Sequence, residues 1–326
     1  MNNSSDSGIC LSTPQHMSIP VLMCLVYFMG FLLNVFSLWV FCCRMSSWSA
    51  GTILQFCLAL SDALGAPVTP LIAVYFAMGN KWLFGKVLCT VTIVFVSSQF
   101  YGSTIFLTLI SFHRYKAVVH FNKSSRMKDK SFIKKLCAGV WLFLITHSLV
   151  YGFGVPATKE GEVTHCLSFS QVSLTNSFFI ISCVLVSIGF LLPLSISATC
   201  YFRVKNALTC LNITAKSLKV KLKSQRMIQM CLIIFTICFL PANIIGITAT
   251  VMMKFYPEHC HTLHQLQTAY YASWIIAGLN CFLDPLLYCF GSQNFRDAFP
   301  SFHIKSTEPQ QSDTEMTPNA EKITAV

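Results

Sequence analysis

Charge is what this sequence has least of. Only 11% of its 326 residues are charged, and acids are scarcer than bases, 12 Asp and Glu against 23 Lys and Arg. A soluble domain of this length usually carries about a quarter charged residues. With 54% hydrophobic residues and a mean hydropathy of +0.60, the natural solvent is a bilayer. A cleavable secretion signal is also missing: the first seventeen residues are polar, include Pro14 and offer no basic flank before a short apolar core. No internal repeat is present. A transporter would show two related halves and polar residues along a through-path, and that pairing is absent. A membrane enzyme would need a catalytic cluster, yet His147, Cys183 and Ser187 are scattered across different apolar runs.

What is present is a succession of those runs. A transmembrane helix needs roughly twenty predominantly apolar residues. Runs near 18–43, 51–77, 86–118, 133–156, 176–203, 225–253 and 265–289 predict an all-α bundle of seven transmembrane helices spanning 18–290. Of the 23 Lys and Arg, only Lys81, Lys86, Lys159 and Lys254 fall in the loops at one end; the other nineteen sit at the opposite ends, loops and tail. That asymmetry puts the basic side in the cytosol and the N-terminus, residues 1–17, outside. It also excludes a nucleic-acid partner, because the +11 net charge is explained by topology.

Proline interrupts several spans: Pro67 and Pro70 in the second, Pro241 in the sixth, Pro285 in the seventh. Each ring removes a backbone donor and should kink its helix, opening space inside the bundle. Leu218, Val220 and Leu222 alternate with Lys219, Lys221 and Lys223. Alternation favours a strand, but a lone strand there has no partner, so a cytoplasmic extension of helix six is expected. Past Gly291, Phe295, Phe299 and Phe302 recur on one face opposite Arg296 and Asp297. That pattern predicts a short amphipathic eighth helix over 291–302 on the inner membrane surface, with Pro300 disturbing its end. The tail, 303–326, reads as disordered.

The sixteen cysteines separate by side. Only Cys10, Cys89, Cys166 and Cys260 lie outside, where oxidation is allowed. Four cysteines permit three pairings; the pairing expected is Cys89–Cys166, from helix three to the second outer loop, with Cys10–Cys260. Asn2 and Asn3 begin outer glycosylation sequons, whereas Asn122 and Asn212 match on the inner side by chance. Acids inside spans are costly and functional, and only Asp62 and Asp284 lie deep in one. No base shares their depth, so they need a cation, water or a proton. With Asn34, Ser103 and Asn280 they form a candidate polar network. Asp62, Ser103 and Asp284 are its sodium ligands, and no other cofactor is expected. Arg114, in His113-Arg114-Tyr115 at the inner end of span three, would by itself read as a lipid-phosphate contact.

Read together, these residues resemble the rhodopsin-like G-protein-coupled receptors over residues 18–302. The likeness rests on Asn34, Leu58-Ala59-Leu60-Ser61-Asp62, Trp82-Leu83-Phe84-Gly85, Cys89, Arg114-Tyr115 and Trp141. It continues through Pro193 with Tyr201, Cys238-Phe239-Leu240-Pro241 and Asp284-Pro285-Leu286-Leu287-Tyr288. The resemblance implies a non-enzymatic receptor in the plasma membrane. It implies a small-molecule ligand, a heterotrimeric G protein and arrestin as partners, and contact with membrane lipid. It assigns the G-protein pocket to Arg114, Tyr115, Tyr201 and Tyr288, with His113 where an acid usually restrains the arginine. The terminal Thr324-Ala325-Val326 fits capture by a PDZ domain.

Within that family, Tyr101-Gly102-Ser103-Thr104-Ile105-Phe106-Leu107-Thr108, the His-Arg-Tyr triplet, Phe190-Leu191-Leu192-Pro193 and Asn280-Cys281-Phe282-Leu283-Asp284-Pro285 resemble the purinergic nucleotide receptors and their lipid-sensing relatives. The departures concern the ligand. Asn243 and Gly246 stand where those receptors place a histidine and a base on helix six. Ile93, Tyr271 and Trp274 replace bases on helices three and seven, and Val96 replaces the aspartate of amine receptors. Polyphosphate recognition normally relies on Arg or Lys. The expected ligand set is Phe100, Tyr101, Phe239, Asn243, Tyr270, Tyr271 and Trp274, suited to an acidic lipid or similar amphiphile ahead of a nucleotide.

Overall fold

The computed structural model describes residues 15–119, 126–154, 158–160, 163–166, 176–208, 215–291 and Phe295. Among these, seven helices are long and apolar enough to cross a membrane: α1 (Ser18–Arg44), α2 (Ala50–Ala77), α3 (Gly85–Val119), α4 (Lys130–Val150), α5 (Phe179–Leu208), α6 (Val220–Phe255) and α7 (Cys260–Cys289). Helical turns carry α4 on to Gly154 and begin α6 at Ala215, so the alternating stretch is helical, as expected. One feature was not foreseen. β1 (Thr158–Glu160) and β2 (Val163–His165) pair antiparallel, Thr158 opposite His165, immediately before Cys166. The end of the bundle bearing Cys89 is called outer below, and the end bearing Arg114 inner.

The helices are apolar outside and polar inside. On α1, Leu25, Phe28, Leu32, Phe36 and Trp39 are exposed while Met23, Gly30, Asn34 and Ser37 are buried. An apolar belt of this extent would drive association in water; in lipid it costs nothing, and small or polar residues make the helix contacts. Gly30 shows why. A Cβ there would sit 2.5 Å from Cys281 Cβ, so the glycine lets α1 and α7 touch. Asn34 then donates its amide to the carbonyls of Gly30 and Cys281, each at 2.9 Å. On α3, a Cβ at Gly102 would collide with Ser61 of α2. Gly102→Ala should therefore cost about 1–3 kcal/mol through overpacking. A lowered thermal midpoint in detergent is the expected reading, and an unchanged midpoint would mean that α2 and α3 pack less closely.

Proline marks the irregular turns. A 3-10 turn, Ala66–Val68, splits α2 at Pro67, and Thr69 repairs the backbone by donating to the Gly65 carbonyl at 2.8 Å. Widened π turns precede Pro193 in α5 (Ser187–Leu191) and Pro241 in α6 (Phe235–Phe239). In α7 the helix breaks at Leu279 before resuming with Pro285 inside it. Two large buried clusters divide the interior, and the inner one takes in the widened turns of α5 and α6 through Phe190, Phe235 and Phe239. The inner one gathers Phe41, Leu54, Phe106, Phe235, Phe239 and Tyr288. The outer one gathers Met23, Tyr75, Phe76, Trp82, Ile93 and Tyr271.

Of the expected eighth helix only Gly291, which ends α7's last helical turn, and Phe295 are described. Phe295 is buried, its ring 4.9 Å from that of Phe41 and 5.9 Å from that of Tyr288. The rest of 291–302 beyond Gly291, the tail 303–326, Cys10 and the sequons at Asn2 and Asn3 lie outside the described residues.

Candidate functional site

Three sites stack along the bundle axis. The outermost is a cavity of about 200 Å³ among α1, α3, α5, α6 and α7. Phe100, Tyr101, Asn243, Tyr270 and Trp274 of the expected ligand set line it. Phe239 and Tyr271 do not. Phe239 is fully buried beneath the cavity, its ring 5.0 Å from Phe100. Tyr271 turns into the outer cluster, 4.5 Å from Phe76, and Gln267 donates to its hydroxyl at 3.4 Å. Tyr27, Gln99, Ser182 and Thr250 join the wall without having been anticipated. No acidic or basic side chain is among the lining residues.

Two glycines shape this wall. A Cβ at Gly246 would meet the Tyr270 ring at 3.1 Å, so Tyr270 fills the space that a side chain at 246 would need. A Cβ at Gly189 would meet the Tyr101 ring at 2.7 Å, so the glycine seats Tyr101 against α5. Behind Tyr101 lies a second, almost wholly apolar cleft of about 460 Å³ on the lipid side of α3, α4 and α5. Tyr101 and Leu185 belong to both walls, and His147 lines the cleft with its ring 5.2 Å from that of Tyr101. Cations stay at the margin. Lys81 and Lys86 are exposed, and Lys254 holds its ammonium 5.4 Å from the Phe179 ring. The side chain of Lys159 lies outside the described residues.

The outer lid is covalently tied. Cys89 at the top of α3 bonds Cys166, with Cα atoms 5.9 Å apart. Cys260 is also disulfide-bonded, and its partner lies outside the described residues.

One level inward, the structure brings the polar network together. Ser103 and Asn280 both donate to Asp62 Oδ1, the latter at 3.1 Å. Asp284 is fully buried one turn beyond Asn280, and its carboxyl lies within reach of Asp62. Among the described residues neither Asp284 oxygen, nor Asp62 Oδ2, has a hydrogen-bond partner. Asn34 is not part of this cluster's bonding, because its amide goes to backbone carbonyls instead. Two carboxylates with hydroxyl and amide oxygens nearby form an oxygen donor set suited to a small hard cation. Among the described residues there is no group of three or more His, Cys, Asp or Glu that could hold a metal ion.

At the inner end, His113 and Arg114 pack against the start of α2: a Cβ on Gly51 would sit 3.2 Å from His113 Cε1 and 3.7 Å from Arg114 Nη2. The two tyrosines are apart. Tyr201 joins Tyr115, Val118, Val204 and Ile228. Tyr288 is buried on the other side against Phe41, at 5.5 Å.

A seven-helix membrane bundle with an outer aromatic cavity, a buried acid pair below it and an arginine at the inner mouth has the layout of a transmembrane receptor. The chain belongs to the 7 transmembrane receptor (rhodopsin family), whose sequence profile matches residues 33–288. Its similarities fall in the purinergic-like branch. It is 32% identical over 306 residues to purinoceptor 2 of Mus musculus, covering 91% of this chain and 80% of that one. It is 30% identical over 292 residues to human Lysophosphatidic acid receptor 6, covering 89% and 84%. With 2-oxoglutarate receptor 1 of Rattus norvegicus it shares 28% over 283 residues, covering 87% and 83%. The protein is accordingly a multi-pass membrane receptor working with a ligand and a G protein, and its relatives are receptors rather than enzymes.

Proposed function

We propose that this receptor responds to an amphiphile carrying one acidic head and an apolar tail. The observation that carries this reading is the cavity wall, aromatic and polar but without a charged side chain. A polyphosphate would bring several negative charges to a wall with no fixed cation, whereas a tail gains from burial against Phe100, Tyr270 and Trp274. Tyr270 beside Gly246 argues the same way, since it fills the room a helix-six base would take. The marginal lysines steer an anion inward but are screened by salt, with a Debye length of about 8 Å at physiological strength. A lysophosphatidic acid receptor among the relatives fits this class of ligand. A nucleotide is the second reading, favoured by similarity to the mouse purinoceptor.

The test is binding to purified receptor with G-protein nucleotide exchange as readout, over lysophospholipids, fatty acids and nucleotide di- and triphosphates. Acidic amphiphiles should bind and activate, with nucleotides weak. Submicromolar nucleotide affinity that survives neutralising Lys81, Lys86, Lys159 and Lys254 would overturn the reading.

In the same reading the N-terminus is extracellular, the receptor sits in the plasma membrane, and Asn2 and Asn3 carry glycans. Asp62, Ser103 and Asp284 hold a sodium ion that balances the buried acids, with Asn280 and Asn34 bracing the helices around it. Activation draws Tyr201 and Tyr288 toward Arg114 and Tyr115 to complete the G-protein pocket. The cytoplasmic tail engages arrestin, and its last residues engage a PDZ-domain protein.

A further inference from the structure

The last turn of α1 presents two thiols to the membrane boundary. It widens into a π turn, Val40–Arg44, whose first two residues are pinned inward. Val40 and Phe41 are fully buried, the Phe41 ring packs against Tyr288 and Phe295, and its carbonyl accepts the Trp48 indole N–H at 3.0 Å. With those residues fixed, Cys42 and Cys43 are turned out and exposed, followed by Arg44, whose guanidinium lies 5.6 Å from the Trp39 ring. Eleven cysteines are free among the described residues. Of these eleven, six are buried, Cys24, Cys183 and Cys289 are half-buried, and only Cys42 and Cys43 are exposed. No cysteine follows Cys289 in the sequence.

Depth singles out the pair further. The 27 residues of α1 extend roughly 40 Å at 1.5 Å per residue, against a hydrocarbon core of about 30 Å. The final turn therefore emerges at headgroup level, where Trp and Arg anchor. One to three turns deeper, Trp39, Phe36, Val35 and Leu32 are exposed to lipid, so a chain attached at the thiols has an apolar ridge to lie along.

We propose that Cys42 and Cys43 are sites of reversible S-acylation by a long-chain acyl-CoA. The cysteine sulfur attacks the thioester carbonyl and a new S–C bond forms. The bond to coenzyme A breaks, and the proton leaves with the coenzyme A thiol. No electron is transferred, and hydrolysis returns the free cysteine and a fatty acid. The proposal rests on the orientation given above, with the inner end in the cytosol, where thiols stay reduced.

The test is acyl exchange on receptor from cultured cells: free thiols are blocked, thioesters are cleaved with hydroxylamine, and each released thiol receives a mass tag. Wild type should show one or two hydroxylamine-dependent tags, Cys289→Ser the same, and Cys42→Ser/Cys43→Ser none. Peptide mapping of wild type should find the acyl group between Phe41 and Arg44, which holds even if the double variant folds poorly. Wild type without a hydroxylamine-dependent tag, or tags persisting in the double variant, overturns the proposal. Hydroxylamine-treated wild type probed with a membrane-impermeant maleimide separates the two assumptions. Labelling of this peptide only after permeabilisation supports the orientation; labelling on intact cells overturns the orientation and the acylation with it.

Discussion

Arg114→Ala should abolish ligand-stimulated nucleotide exchange on the G protein while surface level and ligand affinity hold. Arg114 lies at the inner mouth, more than two helical turns inward of Ser103 on α3, so its loss leaves the cavity and the acid pair intact. Truncating a hydrogen-bonded charged anchor at a protein interface costs about 2–5 kcal/mol, roughly a thirtyfold or greater loss of coupling. Exchange measured with purified G protein in lipid discs reads this directly. Normal exchange by the variant would remove Arg114 from the coupling site and leave it as an anchor for lipid phosphate.

Cys89→Ser should remove surface folding or ligand response altogether. The bond to Cys166 closes a separation of 77 residues, worth about 4–5 kcal/mol in chain-entropy terms. It also fixes the strand pair β1–β2, which ends one residue before Cys166, over the top of α3. Cys166→Ser should match it in surface counts and response. A clear difference between the two would mean that one thiol has a role apart from the bond.

Much of the fold was legible because a bilayer imposes a length on every crossing, and apolar runs of that length are plain to read. Proline was equally informative, since a missing donor must be accommodated locally; the irregular turns beside Pro67 and Pro241 follow, whereas the one before Pro193 was not read from the sequence. Asp62, Ser103 and Asn280 could be grouped because polar atoms at one depth have few alternatives to each other. Helix rotation was harder. Tyr270 and Tyr271 point about 100° apart, so only one can face the cavity, and lipid and interior are both apolar enough to accept either ring. Gly246 could have decided it, since the open space beside it admits Tyr270. Tyr27 and Gln99 were missed for the same reason, and the hairpin before Cys166 has too few residues to announce itself.

The separation of the buried residues into an outer and an inner cluster has a mechanical consequence. At the outer margin of the inner cluster α5 and α6 carry turns whose hydrogen bonds are shifted from the regular ladder, and these turns are where the helices bend most readily. The buried residues above and below belong to separate clusters, the condition under which parts of a protein can open with separate free energies. Tightening the outer unit with a ligand then leaves the inner one free to change its packing, as Tyr201 and Tyr288, held in different clusters, would require.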